Sequence, residues 1–202
     1  MIDDDLISRV QRLYRAIKET EETDISRCKP TVTSDGKRVC FYQDWRGGRS
    51  DAELANTIYI LIYNIANLRD LLKKWAIQNG KATAKVDDAF KNSLALRIMK
   101  DLSNNDRHGY DPKKPGHSGR APRVDNITTV MRMTTKPEKG ALMSLTFDPQ
   151  GVPLVTGSGT ATVIITGDIL DRDGNKISDL HKTMLEAVEV WESILDDLDV
   201  NL

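Results

Sequence analysis

Arg97, Asp101, Asn104 and His108 recur at i, i+4, i+7 and i+11 in a segment of helical periodicity. At about 100° per residue their side chains fall within roughly 60° of one another, in one stripe. These are residue types that can hold an anion and move a proton. An imidazole titrates near neutral pH, so His108 could give or take one. Arg97 could grip a phosphate in a bidentate fork. Asp101 could orient either group, and Asn104 completes the row. A basic loop follows, with Lys113, Lys114, His117, Arg120 and Arg123 spaced by Gly109, Gly116 and Gly119. Such a loop can clasp an anionic backbone or a nucleotide. Metal-independent RNA cleavage, with the ribose 2′-hydroxyl as nucleophile, needs only groups of this kind. The same residues also suit a plainer role. Cations near a helix C-terminus complement its dipole, and Gly109 fits the residue that ends a helix.

The elements that position these groups are readable from periodicity. The stripe runs beside an apolar line of Leu94, Ile98 and Leu102, on a helix expected over residues 87–105. A longer helix is expected over 51–78, capped by Ser50 with Glu53 three residues on and stopped before Gly80. Its Leu54, Ile58, Leu61, Ile62, Ile65, Leu68, Leu72 and Trp75 make it too apolar for a surface helix. The short linker NGKATAKV favours an antiparallel pair. Asn56, Tyr63, Asn67 and Asp70 form a second polar stripe on the long helix. Two facing stripes would line a polar cleft.

Outside this pair, Leu6, Val10, Leu13 and Ile17 predict an amphipathic helix over residues 3–22. TVTSDGKRVCFYQDW predicts a β-hairpin about Asp35-Gly36, with both turn residues at positive φ. NITTVMRMTT, ALMSLTFD and ATVIITGDIL read as an antiparallel meander separated by KPEKG and PQGVPLVTGSG. DRDGNKISD reads as a turn. DLHKTMLEAVEVWESILDDL reads as a final helix with Leu180, Met184, Ala187, Trp191 and Leu195 on one face. The expected class is therefore α+β, in one domain over residues 1–202. Its helical core spans about residues 1–109, the basic loop 109–123, and the sheet with the final helix about 124–202.

The totals narrow the function classes. A chain of 202 residues buries enough surface to fold without a disulfide or metal. Its 29 basic and 30 acidic residues leave a net charge of −1, so any polyanion site must come from local clustering. Cys28 and Cys40 stand apart from any metal-ligand spacing; they could lie across a hairpin from each other, and the plainer reading is two buried or free thiols in a reducing compartment. No cofactor motif is present. The acidic start MIDDDLISRV is unlike a signal peptide, and TIYILIYNIANL is too short and polar to span a bilayer, so a soluble cytoplasmic protein is expected. In DRDGN, Gly174 falls ahead of its place in a calcium loop and Lys182 stands where the acidic ligand belongs. GSGT at Gly157–Thr160 lacks the lysine of a phosphate loop and precedes a strand. WRGGRS, Trp45–Ser50, sets two arginines at a helix N-terminus, a turn with some capacity for an anion.

The long apolar helix, its linker and a second helix ending in DLSNNDRHG resemble the HEPN-type domains. The segment also resembles a D-L-x-N-x-x-[KR]-H-G stretch of uncharacterised bacterial proteins. The resemblance spans roughly Asp51 to Gly109 and carries over His108 alone. Arg107 adjoins that histidine, whereas Arg97 lies eleven residues before it. HEPN-type domains include metal-independent ribonucleases of toxin and phage-defence systems and non-catalytic binding modules, and they commonly form dimers. The resemblance thus implies a binding module for nucleic acid, nucleotide or protein, with homodimerisation. A ribonuclease using His108, Arg97, Asp101 and Asn104 is the second reading. A non-catalytic immunity or structural partner protein is the third.

Overall fold

The computed structural model describes residues 2–28, 30–108, 116–135 and 137–200. The fold is α+β, as expected, and is built around one long helix. That helix, α2 (Asp51–Gln78), has the predicted bounds and cap. The Ser50 hydroxyl accepts from the Glu53 amide, and the Glu53 carboxylate accepts from the Ser50 amide at 2.7 Å. Its Leu54, Ile58, Leu61, Ile62, Ile65, Leu68 and Leu72 are all buried, so it needs apolar neighbours on more than one side. One neighbour is α1 (Ile2–Glu19), which buries Leu6, Val10 and Leu13. This helix ends before the expected residue 22. Glu21–Glu22 instead forms a strand, β1, on the edge of a later strand, β7 (Gly159–Leu170).

The helix expected over 87–105 is two helices, α3 (Ala84–Asn92) and α4 (Leu94–His108). Ser93 breaks the run with extended backbone, φ −90° and ψ 115°. Its hydroxyl accepts from the Leu96 amide at 3.2 Å, which starts a new helix. Leu94 is therefore a first-turn residue and is exposed, not part of the expected seam. Ile98 and Leu102 remain in the core. Tyr63 meets Asp106 and Asp70 meets Lys100, so α2 and α4 run antiparallel.

The expected meander is rearranged. Strand β4 (Arg123–Thr135) pairs with β7 from Arg123↔Leu170 to Thr135↔Gly159. Between them β5 (Met143–Phe147) and β6 (Pro153–Gly157) form a separate hairpin, so the stretch read as a connector supplies a strand. Burial on β7 explains the choice: residues 163–167 and Ile169 are buried, with Ile165 and Ile169 in the core shared with the helices, whereas β5 has no buried residue. The KISD segment, expected within a turn, is strand β8 (Lys176–Asp179) on the other edge of β7. Helix α5 (Leu180–Asp197) buries the predicted Leu180, Met184, Ala187, Trp191 and Leu195. The Trp191 indole N–H donates to Ile65 O of α2 at 3.0 Å, inside the core.

The early hairpin is present as β2 (Thr31–Ser34) and β3 (Val39–Tyr42). Its turn differs from the expected type, since only Gly36 takes positive φ, at 81°. The Asp35 carboxylate instead accepts from the Lys37 and Arg38 amides at 2.9 and 2.8 Å and shapes a four-residue loop. Every residue of both strands is exposed, including Cys40. Cys28 is a buried free thiol whose Sγ lies 3.6 Å from Trp45 O. No described helix is long and apolar enough to cross a membrane.

Candidate functional site

Asp101 is only 4% exposed, and both its carboxylate oxygens are engaged. Oδ1 accepts from the His117 amide at 2.8 Å and Oδ2 from the Ser118 amide at 2.7 Å. A buried carboxylate needs such charge-assisted bonds, because burying it bare costs several kcal/mol or more. The result is a staple that fixes the returning end of the basic loop to the flank of α4. Gly116 permits the close approach. It has φ +72°, and a Cβ there would lie 2.6 Å from the Asp101 carboxylate.

The staple places His117 beside Arg97, whose Nη1 lies 3.4 Å from His117 O. Arg97 Nε also donates to Ser93 O at 3.3 Å. Among the described residues no carboxylate lies within salt-bridge distance of this guanidinium. The His117 and Phe90 rings make a T-shaped contact with centroids 5.4 Å apart, and the Arg69 guanidinium lies over the Phe90 ring at 4.1 Å. Asp87 is shared by Arg69 at 2.6 Å and Lys73 at 2.8 Å, and these bonds lower its pKa. One carboxylate thus serves two cations here. Lys100 reaches Asp70 at 3.9 Å on the adjoining seam. Arg69, Lys73 and Arg97 make a cationic face around His117, bordered by Lys100, although the whole chain is slightly acidic.

The remaining predicted residues lie elsewhere. His108 is the last residue of α4 and is exposed. At 1.5 Å per residue it stands about 16 Å along the axis from Arg97, so one small group cannot touch both. Asn104 is half-buried between them. Asn105, which the sequence reading passed over, donates to Pro122 O at 2.9 Å and ties down the far end of the loop. Arg120 and Arg123 sit by the turn at residues 171–175: Arg120 O accepts from the Arg172 amide, and Arg123 Nη2 lies against Gly174. Lys113 and Lys114 lie outside the described residues, as do Gly109, Pro112 and Pro115.

Tyr63 and Asp70 of the second stripe contact α4 at Asp106, Arg107 and Lys100, which lie outside the first stripe. Tyr63 of α2 donates to Asp106 Oδ2 at 2.6 Å, and that bond raises the phenol pKa. Arg107 lies over the Tyr63 ring at 5.9 Å. The contacts across the seam therefore involve Asp106, Arg107 and Lys100, whereas Arg97 and Asp101 face the loop.

A second polar cluster went unread because its histidine looked like an ordinary helix residue. His181, in the first turn of α5, is 4% exposed. Its Nε2 lies 3.4 Å from Arg132 Nη1 and 3.6 Å from Glu21 Oε1, joining α5 to β4 and β1. Its Nδ1 is buried with no hydrogen-bond partner. The cluster borders a cleft of about 490 Å³ floored by Ile164 and Leu185 and rimmed by Glu186 and Glu189. Burial pushes the His181 pKa down, and Arg132 adds to that. Unfolding returns the ring to its ordinary value, so the unfolded chain binds more protons just below pH 6.5. The His181 contribution to stability is complete above that pH and is lost as pH falls toward the lowered folded value. Urea denaturation at pH 7.5 and pH 5.5 should show the lower stability at pH 5.5. In His181→Gln the part of that slope due to one proton should disappear.

Among the described residues no group of three or more His, Cys, Asp or Glu could hold a metal ion. Comparison with protein-family models, with curated proteins and with solved structures finds no match for this chain.

Proposed function

We propose that the chain is a binding module for an acidic backbone, RNA above all, and that the cationic face around His117 is where it binds. The observation that carries this reading is the Asp101 staple. It commits the one carboxylate of the predicted stripe to two backbone amides, and it holds His117 beside an Arg97 that has no carboxylate partner among the described residues. A guanidinium in that setting is open to phosphate. Arg69 and Lys73 extend the positive surface along α2. The sequence sets Lys113 and Lys114 just ahead of the stapled turn. Phosphate contacts of this kind supply affinity without reading sequence. The binding side of the HEPN resemblance fits this reading better than its ribonuclease side, since the ribonuclease reading asks Asp101 to serve the substrate with oxygens already engaged.

Fluorescence anisotropy of the full chain with a labelled single-stranded RNA tests the proposal. Affinity should fall steeply as salt rises from about 50 to about 200 mM. Arg97→Ala should weaken binding and reduce the salt slope by about one. The RNA should remain intact, and His108→Ala should bind as the parent chain does. Absence of binding at the lowest salt would overturn the reading. RNA cleavage abolished by both Arg97→Ala and His108→Ala would replace it with the ribonuclease.

A further inference from the structure

Among the described residues, neither strand of the β2–β3 ribbon pairs with anything but the other. An isolated two-stranded ribbon is marginally stable in water. Charged side chains on an edge strand are the usual guard against pairing with another chain, and TVTS and VCFY carry none. Val32, Val39 and Phe41 share one face of the ribbon and are 51%, 59% and 64% exposed. On the other face Tyr42 is 76% exposed.

The register identifies the free backbone groups. The Asp35 amide donates to Arg38 O across the turn. Antiparallel pairs alternate between bonded and non-bonded, so Cys40 and Tyr42 direct their backbone groups at β2. Val39 and Phe41 direct theirs at the open edge of β3.

We propose that the β3 edge pairs antiparallel with the β3 edge of a second copy of this chain, across a twofold axis at Phe41. In that register Phe41 lies opposite its own counterpart, and Val39 lies opposite Gln43. Arg38 lies opposite Asp44 of the second copy, and the symmetry repeats the pair on the other side of the axis. Arg38 and Asp44 flank β3; Arg38 is exposed, and the Asp44 side chain is 70% exposed with Oδ1 accepting from the Arg46 amide of its own chain at 2.9 Å. Centring the axis on Cys40 instead puts Asp44 against Gly36, and centring it on Val39 puts it against Ser34. Only the Phe41 register gives charge complementarity. The product is a continuous four-stranded sheet whose two inner strands join the apolar faces of both hairpins. The hairpin shares no residue with the cationic face, so dimerisation and RNA binding stand or fall separately.

Sedimentation equilibrium of the full chain tests the pairing. The parent chain should be dimeric well below about 100 µM, the range of specific association. Arg38→Asp and Asp44→Arg should each weaken the dimer about tenfold, because each puts like charges opposite one another twice. The chain carrying both changes should return to within about threefold of the parent, and Phe41→Glu should be monomeric. At concentrations low enough for the parent to be monomeric, all four variants should keep its melting behaviour, since the strands contribute nothing to the core. A parent chain that stays monomeric at about 100 µM, or a double variant no tighter than the single ones, would overturn the proposal.

Discussion

Trp191→Ala lowers the free energy of unfolding by about 4 kcal/mol, the upper range for truncating a buried large side chain. Urea denaturation monitored by circular dichroism measures it. Trp191 is 1% exposed and belongs to the single main core that α1, α2, α4 and α5 share with β7. The chain has little means of closing a hole there, because Leu68, Leu72 and Leu195 of the same core already sit in buried positions on rigid helices. The indole also donates to Ile65 O. Trp191→Phe keeps most of the volume and removes that donor, so its cost should be about 1–2 kcal/mol. A cost for Trp191→Ala below about 1 kcal/mol would mean that α5 is not docked on α2 as described.

Asp101→Ala should cost about 3 kcal/mol, because two backbone amides lose a charged acceptor and the Ser118 amide is buried. For a chain of this length that corresponds to a melting temperature lower by about 6–12 °C. Asp101→Asn keeps one acceptor oxygen and should lose about half as much. The side chain thus has a mechanical role that can be separated from chemistry. A catalytic carboxylate is commonly dispensable for stability, whereas this one holds the turn. Both variants should also weaken RNA binding, since the turn that presents His117 is loosened. An Asp101→Ala chain that melts like the parent would remove the staple from the account.

Much of the architecture was legible because it follows from local rules. The Ser50–Glu53 capping box and the unbroken apolar face of α2 fixed that helix to the residue. The face of α5 was equally plain, from Leu180 to Leu195. Ser93 was harder: its effect depends on whether its hydroxyl points back at the Leu96 amide, which composition does not reveal. The pairing of β4 with β7 was also hidden. Strand order is set by which strands carry a buried face, and ALMSLTFD alternates much as its neighbours do. The stripe of Arg97, Asp101, Asn104 and His108 was read correctly as a line on a helix. What periodicity could not show was that Asp101 is claimed by amides sixteen and seventeen residues further on. His181 escaped notice for the same reason, as Arg132 and Glu21 reach it from distant strands.

The most direct measurement is a ¹H–¹⁵N spectrum of the full chain titrated with a short single-stranded RNA. The amide signals of Arg97, Lys100, His117 and Ser118 should move together and saturate at one affinity, and those of Val39 to Tyr42 should stay in place. Signals that move at the hairpin while the stapled turn remains unchanged would contradict the cationic face as the binding surface.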